Sequence, residues 1–392
     1  MAQGRVANDL NTLDGKRGNF VGIQHGSGIA AAGYDVTGIR TAQEKAVAHK
    51  SSSTHARIAA EDGKIIDLTN DTIEIEYGSG KDKRSEKIKL GRNYGQHEGV
   101  LYGHDLVANV TKGQKVEKGT VLAYNSKFFK PDEFNPSQVN WKAGVMARIV
   151  LLEGTDTLED SCAISSRLSG LHNAEIVAQR HIRVKFDQAV HGLIDVGAKL
   201  EPDSILCTIE DALTATSGAF GEDSANTLSA MAAQTPKADN KGYVDKIEVF
   251  YNGELEDMSE SIRAIVKRSD RQRRAEASAS GGTVADNGRV NSTFRVDGVP
   301  VEMDSVIIRV YISKTSNAIG GDKFVFANQM KTTIRRVMTG INESEDGVPL
   351  DGIFGKKSVD NRIVLSVYKI GTGNTLCRLE AEECRKIAQS AE

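Results

Sequence analysis

Apolar residues alternate with polar ones in short runs along most of this chain, and long runs at helical spacing are scarce. Val306, Ile308, Val310 and Ile312 recur with period 2 and predict a strand that feeds a Gly320–Gly321–Asp322 turn. Between 56 and 125 the β pattern is sustained. ARIAAEDGKIIDLTNDTIEIEYG predicts two strands around Asp-Gly and Asn-Asp turns, with Ile73, Ile75 and Tyr77 on one face. VTKGQKVEKGTVLAY (110–124) spaces Gly113, Val116, Gly119, Val121 and Leu122. DVGAKLEPDSILCTI repeats those offsets with Gly197, Leu200, Asp203, Ile205 and Leu206.

Helical signals are fewer. LEDMSESIRAIVKRSDRQRRAEAS (255–278) predicts the best helix, acidic at its start and basic at its end, which suits the helix dipole. The segment 216–240 reads as a small polar loop, GYVDKIEVFYNG (242–253) as a hairpin-like strand and SGGTVADNG (280–288) as a turn. An apolar strand is expected at 145–152, a last strand at 363–370 and a short helix at 379–391. Residues 1–60 have little apolar periodicity and read as loops and turns.

Composition narrows the class. A chain of 392 residues is too long for one compact core, so two or three domains are expected. With 38 glycines, one tryptophan and abundant Val and Ile in short runs, many short strands joined by tight turns are favoured over a helical bundle. A net charge of −3 does not advertise an isolated nucleic-acid-binding module; any contact with nucleic acid would come through local patches or as one wall of an assembly. No apolar run approaches bilayer length, so no membrane partner is expected. MAQGRVANDLN lacks a basic-then-apolar signal pattern, and Cys162, Cys207, Cys377 and Cys384 lack zinc-ligand spacing. A cytoplasmic chain with free thiols is the expectation.

Candidate chemistry sits at three places. Lys323 and Lys331 flank the residues after the Gly-Gly-Asp turn, and two ammonium groups on one loop suit a polyphosphate or a nucleic-acid backbone. A Gly-Gly step before a charged residue is more often the mark of an ordinary hairpin. Glu159 and Asp160 follow the apolar strand; adjacent carboxylates suit Mg²⁺, which takes a few carboxylate oxygens and keeps waters, or else are solvated turn residues. Lys16, Arg17, His25, Arg40 and His49 could face phosphates or simply solvent. On the helix, Arg263, Lys267, Arg268, Arg271, Arg273 and Arg274 could meet RNA or an acidic partner, or form a solvated face.

The spacing of the 110–124 and 195–209 segments resembles that of biotinyl- and lipoyl-type barrel sandwiches, without the modified-lysine tip of those carriers, so a structural strand pair is expected. A wider resemblance covers most of the chain. RVYISKTSNAIGGDKFVFANQMKTTIRRV, GVMARIVLLEGTDTLEDSCAISSRL and EDGVPLDGIFGKKSVDNRI resemble, in order and approximate spacing, motifs in the C-terminal half of the β subunit of multisubunit DNA-dependent RNA polymerases. The matching features are Gly-Asp-Lys with a second lysine, Glu-Asp-Ser, and a late arginine. KLGRNYGQ (89–96) resembles a further stretch. The family's Gly-Arg-His-Gly-Asn between the lysines is replaced by FANQM, and the N-terminal half of β is missing. That pattern is similar to the split subunits of giant bacteriophages.

The resemblance implies a mainly β fold with some α. The expected parts are a hybrid- and active-site-facing segment at 1–60, a barrel-sandwich-like module at 61–138 and a discontinuous double-psi β-barrel at 139–185 and 303–340. A flap-like insertion at 186–302 and an active-site strand with a tail helix at 341–392 complete it. It implies that Lys323 and Lys331 contact the RNA 3′ end and the incoming nucleotide's phosphates, and that Arg362 holds the triphosphate. Asp160 with Glu159 would position a second Mg²⁺, directly or through water. The catalytic Mg²⁺ loop belongs to a β′-like chain, and no organic cofactor is implied. Lys16, Arg17, Gln24, His25 and Arg40 would lie near the hybrid or nucleotide. Implied partners are an N-terminal β-like chain, β′-like chains, DNA template, RNA, nucleoside triphosphates and a promoter-specificity factor. The implied location is the cytoplasm of the infected bacterial host, or the virion. The alternative is a structural or interaction protein of a phage assembly; it accounts for the charge and the sandwich-like repeats but not for the order of the three motifs.

Overall fold

A computed structural model describes residues 30–36, 43–78, 80–97, 100–211, 234–279, 285–326, 330–345, 347–361 and 366–391. Among the described residues 41% are in strands and 23% in helices, so the fold is mainly β, as the patterning implies. The chain forms two compact units: Met1–Glu175 with Thr315–Glu392, and Ile176–Lys314. The insertion expected at 186–302 falls within the second unit, whose bounds are wider.

The first helix and strand described in the first unit are α1 (Gln43–Lys50) and β1 (Ala56–Ile58), followed by β2 (Gly63–Leu68), β3 (Thr72–Tyr77), β4 (Arg84–Lys89), β5 (Gly91–His97), β6 (Val100–Ala108), β7 (Lys115–Val116) and β8 (Val121–Asn125). One sheet runs β4-β3-β2-β7, and β1-β8-β6 with β5 on β6 forms another ladder. The alternation in β3 does what it predicts: Ile73, Ile75 and Tyr77 are buried, and Glu74 and Glu76 stay partly exposed. Ile75 faces Ile65 and Ile73 faces Ile88 across the ladders, and burying each such side chain is worth about 1.5–3 kcal/mol. Then come β9 (Phe129–Pro131), β10 (Val139–Trp141), β11 (Ile149–Leu151), β12 (Ser161–Ser165) and α2 (Ser166–Leu171). The strand expected at 145–152 is regular only over β11; Val145 and Ala147 are buried outside it. A second core gathers Trp141, Cys162, Ile164, Leu168, Phe324, Phe326 and Phe354.

The second unit contains β13 (Ala174–Lys185, which begins at the boundary), β14 (Ala189–His191), β15 (Lys199–Leu200), β16 (Thr208–Glu210), β17 (Gly242–Asn252), helix α3 (Glu260–Ala279), β18 (Arg295–Val296), β19 (Val299–Pro300) and β20 (Ser305–Ser316). Its main sheet runs β13-β20-β17-β15. β20 is buried on both faces: Val306, Ile308, Val310 and Ile312 join one core, and Ile307 joins Phe250, Val296 and Val301 in another. Its period-2 apolar set therefore belongs to this unit, and not to the one that carries Lys323. Helix α3 buries Ile262, Val266 and Asp270; the Asp270 carboxylate accepts from Tyr251 Oη (3.0 Å) and from the Gly288 N–H (2.7 Å). The helix continues past its arginines to Ala279, so its last turn holds no basic residue, contrary to the expected match with the dipole.

The chain returns to the first unit with β21 (Lys323–Phe326), β22 (Met330–Met338), β23 (Gly352–Phe354), α4 (Lys356–Asp360) and α5 (Ser366–Ala391). The expected strand at 363–370 is not formed where it is described: 366–370 open α5 instead. A strand needs a partner edge for its backbone, whereas a helix satisfies its own N–H and C=O groups.

The spacing echo noted in the sequence is a structural repeat. Gly113 and Gly119 have φ of +83° and +90°, and the matching Gly197 and Asp203 have +86° and +66°. The partners repeat too. Gly113 N–H donates to Ile65 O and Gly119 N–H to Ala59 O; Gly197 N–H donates to Val244 O and Asp203 N–H to Ala238 O. Gly63 pairs with Val116 as Gly242 pairs with Leu200. A Cβ on Gly63 would lie 2.7 Å from Glu76 O, and one on Gly242 would lie 2.3 Å from Ser313 O, so both positions require glycine. Each unit thus holds one copy of the same turn-and-strand device.

Candidate active-site edge

A five-stranded sheet in the first unit, ordered β11-β23-β12-β22-β21, gathers the candidate residues. β12 and β22 are parallel with Ser161 opposite Thr333, and β21 and β22 are antiparallel with Lys323 opposite the same Thr333. Lys323, Thr333 and Ser161 are therefore lateral neighbours on three strands, and Asp160 immediately precedes Ser161. Glu159 and Asp160 thus stand two residues and one residue before the Ser161–Thr333 pair, in the turn that leads into β12.

Lys323 and Lys331 are not on one loop, as the sequence suggested; they sit on the two strands of a hairpin. Lys331 lies two residues before the partner of Lys323, so the two share a face as diagonal neighbours, about 7–8 Å apart by ordinary sheet spacing. Both are exposed, as is Thr333, while Val325 beside them is buried. Residues 327–329, which join the strands, lie outside the described residues.

The acidic pair ends a 3-10 turn, Thr155–Asp160, that leads straight into β12. Glu159 (φ 53°) and Asp160 (φ 60°) both have left-handed backbone, which is uncommon for residues other than glycine. Glu159 is exposed and Asp160 partly so. β23 runs antiparallel to β12 with Phe354 opposite Cys162, so α4 starts at this same edge; Lys357 N–H donates to Glu153 Oε1 at 2.6 Å. Arg362 follows α4 and lies outside the described residues, as do Lys16, Arg17, Gln24, His25 and Arg40.

Two members of the edge were missed in the sequence. Asp156 accepts from Arg336 Nη2 at 2.6 Å and from its Nε at 2.8 Å. The only sequence signal for either was membership of a charged stretch. Among the described residues no group of three or more His, Cys, Asp or Glu side chains is placed to hold a metal ion. The oxygen donors at the edge are the carboxylates of Glu159, which is exposed, and of Asp160, which is partly exposed. That set fits a hard cation that retains several waters and does not fit a transition metal.

The basic run of α3 divides by role. Arg263 donates to the carbonyls of Leu255, Glu256 and Met258, Arg273 lies 4.5 Å above the Phe250 ring, and Arg268 pairs with Asp195 at 3.1 Å. Lys267, Arg271 and Arg274 stay exposed.

Elsewhere in the first unit, His55 and His104 are buried against Phe128, His55 edge-on at a ring-centroid distance of 5.0 Å and His104 stacked at 5.9 Å. Burial, and then His104, push the His55 ring down to about 3. Burial, and then the charges of Lys127 and Arg92, push His104 down to about 4 against an opposing effect of Asp105. Among the described residues no helix is long and apolar enough to cross a membrane. No protein family and no curated protein matches this chain.

Proposed function

We propose that this chain is the C-terminal portion of a split β subunit of a multisubunit DNA-dependent RNA polymerase, of the giant-bacteriophage type. It would act in the cytoplasm of the infected host or travel in the virion. The observation that carries this reading is convergence. Glu159–Asp160, which lead into β12, and Lys323 and Lys331, on β21 and β22, are far apart in the chain yet belong to strands of one sheet, in the order in which the family's motifs occur. The mixed sheet, built from segments on either side of 176–314, supports a discontinuous double-psi barrel.

On this reading Lys323 and Lys331 bind the RNA 3′ end and the nucleotide's phosphates, Arg362 grips the triphosphate, and Asp160 with Glu159 orients a water-retaining Mg²⁺ that arrives with the nucleotide. Bound there, Mg²⁺ would neutralise charge on the phosphate oxygens. Phosphoryl transfer asks little covalent help of the protein, so positioning and charge neutralisation supply most of the acceleration. Catalysis requires β′-like chains and an N-terminal β-like chain, with DNA, RNA and nucleoside triphosphates between them. Lys267, Arg271 and Arg274 would meet RNA or a promoter-specificity factor.

The test is a tagged pull-down from native extract with copurifying chains identified by mass spectrometry. A chain bearing an Asp-rich Mg²⁺ loop and a second β-like chain are expected; recovery of the chain alone, or with capsid-type partners only, favours a structural role. In the assembled enzyme Lys331→Ala should slow nucleotide addition roughly 10- to 150-fold, equivalent to losing one charge-assisted bond of about 1.5–3 kcal/mol made in the transition state. Wild-type extension by that variant would sink the assignment.

A further inference from the structure

From 376 to 390, the second half of α5, every residue except Arg378 and Glu382 is exposed. Along that stretch Cys377, Ala381, Cys384 and Ala388 recur at steps of four, three and four residues, the spacing that keeps one helix face turned to a partner helix. Ile387, 61% exposed, borders the same face. Cys377 and Cys384 project within about 20° of each other but lie about 10 Å apart along the axis, beyond the roughly 7 Å that a disulfide can bridge. Their thiols therefore cannot pair within the helix.

The charges on this stretch indicate what the face would meet. Arg378 pairs with Glu382, and Lys386 pairs with Glu383 at 3.3 Å. Glu380 and Arg385 are left without an ion pair among the described residues. They border the Cys377–Ala388 seam on opposite sides, about 140° apart round the helix, so they cannot reach each other. In a parallel two-stranded coil the residue on one flank of the seam meets the residue five positions further on in the partner, on the other flank. Glu380 of one copy then faces Arg385 of the other, and by two-fold symmetry the pair forms twice. An antiparallel pair would set Glu380 beside Glu380 and Arg385 beside Arg385. We infer that this face of α5 is a docking surface for a second copy of the chain, packed parallel and in register. Alanine and cysteine bury little apolar area, so the association is weak and reversible and leaves the thiols reactive in dilute solution. A dimer through α5 does not depend on the polymerase reading.

The probe is a short bismaleimide, which alkylates two thiols without an oxidant, applied to the purified chain over a range of concentrations. Cys162 and Cys207 are buried and stay unreacted. A covalent dimer is expected from Cys377→Ser and from Cys384→Ser alike, because in parallel register each thiol faces its own counterpart. Ala388→Glu, at an exposed position, should abolish the dimer and leave the Trp141 unfolding curve unchanged. Glu380→Arg should weaken dimerisation roughly 2- to 30-fold, the range for two exposed ion pairs, and adding Arg385→Glu should restore it. Wild-type crosslinking with none from either single-thiol chain would mean antiparallel helices and overturn the parallel dimer. Absence of a dimer at every concentration, or yields unmoved by Ala388→Glu and Glu380→Arg, would remove α5 as the docking surface. Crosslinking of Cys384 to a different copurifying chain, with none between copies, would assign the face to that chain instead.

Discussion

Acid should destabilise the first unit through two histidines, by an amount that follows from their burial. His55 is 4% exposed and His104 1% exposed. His104 Nδ1 bonds Asn125 Nδ2 at 2.8 Å and His55 Nδ1 bonds Ser52 Oγ at 3.1 Å, while both Nε2 atoms are buried without a partner. Native His55 and His104 stay neutral down to about pH 3 and 4. Unfolding frees both rings to protonate near pH 6.5. Below that pH the unfolded chain binds more protons than the native one, so the stability is fully present above pH 6.5 and declines as pH falls towards the folded-state values. Each ring then costs about 1.4 kcal/mol per pH unit, or about 2 kcal/mol between pH 7 and pH 5 and about 4 for the pair. At pH 5 this figure depends only on both native values lying below 5. It is a large share of the 5–15 kcal/mol typical of a domain. Denaturant unfolding at the two pH values, followed by the fluorescence of Trp141, measures it. Trp141 is the only tryptophan and shares a core with Phe128. Carboxylates also titrate in this range, so the quantity to compare is the drop in wild type against that in a His55→Gln/His104→Gln variant. The variant should lose about 4 kcal/mol less. Equal drops would mean that the native rings accept protons, and the burial argument would be refuted.

Two further outcomes follow from the backbone and the thiols. Glu159→Gly should stabilise the first unit by about 0.5–1 kcal/mol, because relief of about 1–2 kcal/mol of left-handed strain outweighs the entropy of an added glycine; the same Trp141 unfolding curve reads it, and a loss of stability would count against strain in this turn. Burial pushes Cys162 up to about 12 and Cys207 up to about 11, while Cys377 and Cys384 are exposed. An aromatic disulfide reagent should therefore label two thiols per native chain at pH 8 and four after unfolding.

What could be read from the sequence was local. The alternation at Ile73, Ile75 and Tyr77 predicts a strand with one buried face, because side chains on a strand alternate whatever lies beyond it. The Gly113–Gly119 spacing and its echo at Gly197–Asp203 predict paired turns, because left-handed backbone restricts residue type. The partners of that echo, Ala59 with Ile65 and Ala238 with Val244, share too few identities to stand out, and only the hydrogen bonds reveal them. The helix of 255–278 was legible, but its basic run was not: whether an arginine caps carbonyls, covers a ring or faces solvent depends on β17 and the loops beside it. The strand expected at 363–370 failed because apolar alternation cannot report whether a partner edge exists.

The edge itself belongs to tertiary structure. The sequence by itself determined that Glu159–Asp160 follow an apolar run and that Lys323 and Lys331 flank a turn, since those are facts of neighbours in the chain. That Asp160 leads into a strand lying parallel to the strand of Lys331, and that Asp156 is claimed by Arg336, only the fold decided. Strand pairing between distant segments is set by which faces can be buried together and which backbone groups still need partners, and neither quantity exists until the whole unit has closed.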